Sequence, residues 1–154
     1  MTESGTNWDR IREVGPEGVN RVLQEMPFHK FLGASLEEIR PGYALLQHRP
    51  RKDLLNIYKS LHGGVICSLA DTAMGLALWT KTRPGQTSMT LEMKINFISQ
   101  VDEGTETLTA EGQVIHLGKT TGVVEGSLVK EDGTLAARAL ATFFIMPVKK
   151  QPPG

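Results

Sequence analysis

Apolar side chains recur at helical spacing in the middle of the chain. Between Gly64 and about Lys81 they form one stripe, three or four positions apart: Ile66, Leu69, Ala70, Ala73, Leu76 and Ala77. This period is typical of an amphipathic helix, and Pro84-Gly85 is expected to end the segment. A shorter helix is predicted from Pro16 to Met26, because proline suits a helix start and Pro27 stops or turns the chain.

Period-two patterns predict six strands. Before the long helix, a hairpin is expected from Ala34–Ile39 and Tyr43–Arg49, with a turn at Pro41-Gly42. After the helix, Thr87 to Phe97 alternates without interruption, which predicts a half-buried strand with Met89 and Leu91 on its apolar face. Three further strand-like runs are joined by the turns Gly118-Lys119 and Asp132-Gly133, and they cover about residues 106–117, 120–130 and 134–146.

The predicted strands follow one another through tight turns, so they must pair antiparallel. The pattern therefore predicts an α+β fold, in which one long helix covers a face of a six-stranded antiparallel sheet. The last strand is apolar on both faces, and its second face is expected to meet another subunit. We expect a single domain over residues 16–147, between flexible tails at residues 1–15 and 148–154.

The composition favours a cytoplasmic protein that binds neither nucleic acid nor membrane. Lysine plus arginine equals aspartate plus glutamate, 17 against 17, so the net charge gives no field that attracts either partner. The only cysteine, Cys67, cannot form an intramolecular disulfide. The N-terminus lacks the basic start and apolar run of a secretory signal. The longest apolar stretch, Val65 to Trp79, is too short and too polar to span a bilayer.

The segment His62-Gly63-Gly64, just before the long helix, can bind an anion or stabilise an oxyanion. Glycines at a helix start leave backbone N–H groups bare, with the positive end of the helix dipole behind them. A glycine pair alone is more often only a tight turn. Asp71 strengthens the functional interpretation, because it projects among small and apolar residues of the same helix. A carboxylate there is paired, exposed by local geometry or kept for function.

The glycines and Asp71 are too far apart to act together within one chain. Gly64 and Asp71 are separated by seven helical steps, which is roughly 10 Å at 1.5 Å per residue. A carbonyl held by an amide at the helix start lies within about 3 Å of that amide. A second subunit related by a two-fold axis can bring its Asp71 to these glycines and create two equivalent sites. A catalytic site is therefore expected to be shared between subunits.

Other polar residues are weaker candidates. His62 is a possible base, but a histidine at a helix start more often has an orienting or structural role. Asn56 either holds a carbonyl or water, or is a turn residue. Thr90, on the predicted polar face of its strand, either orients a water or is simply a residue type that is common in strands. Cys67 is more typical of a buried structural cysteine than of a nucleophile, and the four histidines lack metal-ligand spacing.

The turn Gly118-Lys119-Thr120 is similar to the end of a nucleotide-binding P-loop. Gln113, however, stands where that motif needs its first glycine, and the context is strand–turn–strand, which excludes a P-loop. Lys119 is either a phosphate contact or a solvated hairpin lysine.

Taken together, these markers resemble the hotdog thioesterases, in particular their phenylacetate-degradation (PaaI-like) group. The resemblance runs from about Leu32 to Phe144. Its markers are Asn56, His62-Gly63-Gly64, Leu69–Ala73, Met93–Ile98, Gly118-Lys119 and Gly133–Ala136. It implies a sheet wrapped around the central helix and hydrolysis of acyl-CoA. It also implies sites at the interface of a homodimer, usually paired into a homotetramer, with no cofactor besides the coenzyme A of the substrate.

The resemblance implies a role for each residue of the first motifs. Asp71 corresponds to the catalytic carboxylate, acting as a general base or as a nucleophile. Gly63 corresponds to the glycine whose amide polarises the thioester carbonyl, with Gly64 beside it shaping the helix start. His62 corresponds to an orienting histidine, and Asn56 to the asparagine that places carbonyl or water.

The remaining implied roles concern the substrate. Thr90 is near the position of a site hydroxyl in related enzymes, with Ser88 as a competitor, and Gly118-Lys119 corresponds to a contact for coenzyme A phosphates. Relatives often have glycine where this chain has Lys59. The acyl pocket is expected among apolar residues, each of which could equally be core: Phe28, Phe31, Met74, Leu78 and Met89. The alternatives are a hotdog hydratase or dehydratase, and a non-catalytic acyl-CoA-binding protein.

Overall fold

The computed structural model describes residues 7–148. Three α-helices and six strands follow in the order α1 (Asn7–Glu25), α2 (Pro27–Leu32), β1 (Ala34–Arg40), β2 (Tyr43–His48), α3 (Gly63–Trp79), β3 (Gln86–Phe97), β4 (Leu108–Leu117), β5 (Thr121–Lys130) and β6 (Leu135–Pro147). A single 3₁₀ turn, Lys52–Leu54, lies in the loop before α3. The predicted long helix and all six predicted strands are present, with ends shifted by a few residues.

The six strands form one sheet in the order β1-β2-β4-β5-β6-β3, and every neighbouring pair is antiparallel. The predicted α+β fold with a six-stranded antiparallel sheet is therefore confirmed. Strands β1 and β3 form the two edges of the sheet. No helix among residues 7–148 is long and apolar enough to cross a membrane.

Helix α3 packs directly on the middle strands because these strands carry glycine where the helix approaches. A Cβ built on Gly112 of β4 would lie 2.6 Å from the backbone of Ala73. A Cβ built on Gly122 of β5 would lie 2.5 Å from the side chain of Leu78. No side chain fits between these surfaces, so the glycines fix the depth at which α3 lies in the sheet. The buried side of α3 is otherwise made of small and aliphatic residues: Ile66, Leu69, Ala70, Ala73, Met74, Ala77 and Leu78.

Strand β3 changes the face that it turns toward α3 at a β-bulge between Thr90 and Glu92. After the bulge, Met93 pairs with Ala141, a buried residue on the helix side of β6. Before the bulge, Thr90 pairs with Phe143, which is also buried there. Thr90 and Met93 therefore both face α3 although an odd number of positions separates them, because the bulge adds one residue to β3.

The predicted uninterrupted alternation of β3 is therefore wrong in its first half. It placed Thr90 on the polar face and Met89 and Leu91 on the buried face. In the structure Met89 and Leu91 are 59% and 60% exposed, and Thr90 points toward the helix. The bulge depends on pairing with β6, which a pattern within β3 does not reveal.

The N-terminal helix is longer than predicted. It begins at Asn7 instead of Pro16 and bends at Gly15, where φ is 64°. Ile11 lies within this first part and is 1% exposed, so the predicted flexible tail is wrong for residues 7–15; residues 1–6 lie outside the described part. Pro27 ends this helix as predicted, and it also begins α2.

Helix α1 covers the β1 edge of the sheet. The side chain of Asn20 donates to the carbonyl of Leu36 at 2.9 Å and accepts from its amide at 2.7 Å. This pair of bonds takes the place of a neighbouring strand and protects the edge from pairing. No comparable cover lies over β3, the opposite edge, in the described part of the chain.

Candidate active site

The start of α3 presents a free backbone amide. His62 is the N-cap, and its Nδ1 accepts a hydrogen bond from the amide of Gly64 at 2.9 Å. This bond satisfies one of the donors that a helix start leaves bare. Among the described residues no acceptor pairs with the amide of Gly63, so that N–H remains available to a ligand. His62 therefore shapes the helix start, and its orienting role toward a substrate stays a prediction.

A tight hairpin just before α3 holds this helix start in place. The carbonyl of Leu54 accepts from the amide of His62 at 2.9 Å, and the amide of Leu61 donates to Val101 at 2.8 Å. At the tip, Asn56 Oδ1 accepts from the amides of Tyr58 at 2.9 Å and Ser60 at 3.2 Å. The Asn56 oxygen thus stabilises the loop.

The same hairpin contains an unusual backbone conformation. Lys59 has φ of 60°, and it is the only non-glycine residue among the described ones with positive φ. Glycine adopts this conformation without steric cost, whereas a side chain makes it unfavourable. The glycine that the sequence resemblance implies for this position in relatives would fit the geometry of this turn.

Asp71 lies in the middle of α3 and is held by a residue of β3. The hydroxyl of Thr90 donates to Asp71 Oδ1 at 2.6 Å. Thr90, and not Ser88, therefore provides the hydroxyl that contacts the carboxylate. The bulge in β3 turns this hydroxyl toward α3. Cys67 lies one helical turn before Asp71, and burial, together with the nearby carboxylate, raises the pKa of its thiol. A raised pKa disfavours the thiolate, so Cys67 is poorly suited to act as a nucleophile.

A pocket of about 480 Å³ opens beside Asp71, between α2, α3 and β3. Its walls combine hydroxyl, imidazole, thiol and apolar groups: Phe28, His29, Cys67, Ser68, Asp71, Thr72, Thr90 and Met93. Its size suits a small organic group. Asp71 and Thr90 were predicted site residues, and Phe28 was a predicted acyl contact.

Sequence reasoning missed three polar residues of this pocket. Ser68 lies about one turn before Asp71, so helical spacing alone could have placed it on the face of Asp71. Thr72 follows Asp71 directly, and its signal is the spacing of four from Ser68. His29 had no such signal, because α2 meets α3 only in the folded chain. Its ring packs edge-on against that of Phe28, with 5.9 Å between ring centres.

The structure does not bring the two predicted halves of the site together within one chain. Gly63 and Asp71 belong to one continuous helix, and eight steps at 1.5 Å per residue separate them by about 12 Å. Neither His62, Gly63, Gly64 nor Asn56 lines the pocket at Asp71. The expected separation of the two halves is therefore observed.

Three residues predicted to contact the substrate lie elsewhere in this chain. Met74 is fully buried, and its Cγ and Sδ lie 3.1 Å from a Cβ built on Gly126, so it is a core residue and not part of the pocket. Gly118 and exposed Lys119 form the turn between β4 and β5. That turn is near the C-terminal end of α3, away from the Asp71 pocket of the same chain.

Comparison with known proteins identifies the family. The family model of the thioesterase superfamily matches residues 58–137, and the chain belongs to this superfamily. The Saccharolobus solfataricus protein SSO1253, whose name places it among esterases, is 35% identical over 129 residues, 82% of this chain and 83% of its own. Acyl-coenzyme A thioesterase PaaI of Escherichia coli is 34% identical over 102 residues, 66% of this chain and 70% of its own.

Comparison with solved structures finds the same group of thioesterases. The solved E. coli PaaI structure superposes with a TM-score of 0.76 at 28% identity, covering 84% of this chain and 91% of that one. A third relative, the medium/long-chain acyl-CoA thioesterase YigI of Salmonella typhimurium, is 26% identical over 80% of this chain and 88% of its own. The resemblance to PaaI-like hotdog thioesterases drawn from the sequence is confirmed.

Proposed function

We propose that the protein hydrolyses acyl-CoA thioesters to a free acid and coenzyme A, with Asp71 as the catalytic carboxylate. The observation that carries the proposal is the hydrogen bond from Thr90 to Asp71 within a pocket of about 480 Å³. The hydroxyl fixes one carboxylate oxygen and leaves the other to accept a proton or to attack. The activities named for PaaI and YigI support the substrate class. The cytosol is the expected location on the sequence argument alone.

The second half of the site is the free amide of Gly63, supplied by a partner subunit. When water attacks the thioester carbon, Asp71 accepts the proton of that water and the carbonyl oxygen becomes an oxyanion. The amide of the partner's Gly63 stabilises this charge. Collapse of the intermediate breaks the C–S bond and releases the coenzyme A thiolate, which takes up a proton. With Asp71 as nucleophile, its carboxylate attacks the thioester carbon, the C–S bond breaks to release the coenzyme A thiolate, and water then hydrolyses the resulting acyl anhydride to the free acid and Asp71.

The geometry of β3 supports this arrangement. Along β3, Thr90 contacts Asp71 at one point, and Phe97 lies beside Gly63, with its Cζ 3.3 Å from a Cβ built there. Thr90 and Phe97 are seven residues apart on β3, which is at most about 23 Å at 3.3 Å each and is shorter across the bulge. If two β3 strands pair antiparallel about a two-fold axis near Lys94, the Thr90 end of one lies beside the Phe97 end of the other. Each Asp71 then approaches the partner's Gly63, which gives two equivalent sites.

The exposure of β3 supports pairing at this edge. It is twelve residues long and its outer edge is unpaired in the described chain. Long apolar edge strands in proteins are normally paired or covered. The outer face of the sheet also carries exposed apolar residues, including Leu140 and Phe144 on β6. We propose that this face joins two dimers into a homotetramer.

The proposed activity is tested by replacing Asp71 with Asn and with Ala. Both variants should lose about 10²–10⁴-fold in turnover, because an amide or methyl group neither accepts a proton nor attacks. The measurement is thiol release from a panel of acyl-CoAs and aryl-CoAs, with the oligomeric state checked by light scattering. Wild-type turnover by Asp71→Asn would refute the role of the carboxylate. Binding of acyl-CoA by the wild type without thiol release would instead support the non-catalytic alternative.

A further inference from the structure

A second cavity, of about 550 Å³, lies between α1, α3 and β3. We call it the α1 cavity. Helix α1 contributes Val22 and Leu23 to its walls, and α3 contributes Leu76 and Trp79. Of the described residues that line it, only Glu13 is charged. The cavity is therefore suited to an apolar ligand and not to a phosphate or a nucleotide.

The α1 cavity continues the Asp71 pocket along α3 and along the junction of α1 with α2. On α3, Thr72 lines the pocket and Leu76, one turn later on the same face, lines the cavity. On β3, Thr90 lines the pocket and Thr87 borders the cavity, although the two side chains lie on opposite faces of the strand. At the α1–α2 junction, Phe28 belongs to the pocket and Met26, two residues earlier, to the cavity. The two spaces therefore follow one another along α3.

Apolar side chains around the α1 cavity remain partly exposed. Val22 and Met26 are 51% and 45% exposed, whereas Leu23, which also lines the cavity, is buried at 7% exposed. At 1.5 Å per residue, Leu76 and Trp79 lie about 7.5 and 12 Å beyond Asp71 along the helix axis. A flexible alkyl chain that begins at Asp71 can reach these side chains and cover them.

We propose that the α1 cavity receives the distal part of an unbranched acyl chain, so that the preferred substrates are aliphatic acyl-CoAs of medium length. The proposal rests on the proposed thioesterase activity at Asp71 and adds its substrate class. Helix α1 is then one wall of the acyl site, and Val22 is a specificity residue.

The first test compares chain-length profiles. For acetyl-, hexanoyl-, octanoyl- and dodecanoyl-CoA, kcat/KM should rise by up to about fourfold for each methylene that enters the cavity. Val22→Trp fills the cavity and should lower the dodecanoyl-to-acetyl ratio of kcat/KM at least tenfold. Arg21→Trp is the matched control, because Arg21 is the exposed neighbour of Val22 and does not line the cavity. If Val22→Trp and Arg21→Trp gave equal dependence of kcat/KM on chain length, the proposal would be overturned.

The second test reports occupancy without turnover. The chain has two tryptophans, Trp8 and Trp79, so Trp8→Phe leaves a single reporter in the cavity. S-dodecyl-CoA, a thioether that cannot be hydrolysed, should shift the emission of Trp79 to shorter wavelength, and S-methyl-CoA should not. If the emission of Trp79 shifted but no thioester released its thiol, the catalytic function would be refuted, and the cavity would remain a binding site for alkyl chains. If short acyl-CoAs were hydrolysed but S-dodecyl-CoA did not change the emission of Trp79, the cavity would not bind the acyl chain. This is the result expected if a partner subunit fills the cavity.

Discussion

The two halves of the candidate site are built in different ways. The start of α3 is assembled from neighbouring residues, because His62 caps the helix and the hairpin of residues 54–62 holds the cap. Asp71 is positioned by a residue that is 19 positions away, since Thr90 reaches it only through the bulge in β3. The first half is thus a local structure, and the second depends on the whole sheet.

This difference separates two kinds of functional group. The Gly63 amide is a backbone donor whose position follows from the helix itself, so it tolerates many neighbouring side chains. The Asp71 carboxylate has rotational freedom and needs a partner to fix it. Variants that affect the two halves separately should therefore lower the activity to different extents.

After the replacements of Asp71 itself, the largest effect is expected at the helix start. Gly63→Pro removes the N–H and fits the first helical position, since His62 already has the extended conformation (φ −61°, ψ 135°) that proline requires before it. Loss of an oxyanion donor should lower kcat about 10²–10³-fold. Gly63→Ala is the matched control, because it keeps the amide and adds the same Cβ against the exposed ring of Phe97. If Pro and Ala reduced thiol release equally, the amide would have no special role.

An intermediate effect is expected from the residue that holds Asp71. Thr90→Val removes the hydroxyl with little change in shape, and a hydrogen bond to a charged group contributes about 1.5–3 kcal/mol. If most of that energy acts in the transition state, kcat/KM should fall about 10- to 100-fold. Ser88→Ala, on the same strand but without a bond to Asp71, should behave as wild type in the thiol-release assay. The reverse result would assign the site hydroxyl to Ser88.

The smallest effect concerns stability and not catalysis. Lys59→Gly relieves the unfavourable φ of 60° but increases the freedom of the unfolded chain, so we expect a gain of about 0.5–1 kcal/mol in the free energy of unfolding. Lys59→Ala removes the same charge and keeps the steric cost, so it should be near neutral. Urea denaturation with an unchanged m-value measures both. Equal stability of the Gly and Ala variants would argue against strain at this turn.

Local features of the fold could be predicted from the sequence, and features that depend on distant pairing could not. The stripe on α3 and the tight turns between strands are encoded within short windows, so the helix, the antiparallel pairing across those turns and the glycines at the helix start were predictable. The pairing of β3 with β6 and the cap that His62 places on the amide of Gly64 were not. The direction of Thr90 was not, because it depends on how β3 pairs with Phe143 and its neighbours on β6. His29 enters the site through the packing of α2, which no periodicity records.

The separation of Gly63 from Asp71 was also predictable, because helix geometry alone sets it. The way in which two paired β3 strands could bring Asp71 of one subunit to Gly63 of the other was not predictable. It depends on knowing that Thr90 contacts Asp71 and that Phe97 lies beside Gly63, both on one exposed edge strand. The central claim is therefore that each site takes its carboxylate from one subunit and its amide from the other.

Complementation between two inactive variants tests this claim most directly. Asp71→Asn and Gly63→Pro chains carrying different affinity tags are co-expressed, and the heterodimer is purified through both tags. In a shared arrangement one of its two sites combines an intact Asp71 with an intact Gly63, so it should recover about half of the wild-type activity. A heterodimer no more active than the mean of the two variant homodimers would contradict the shared site, as would a fully active monomer.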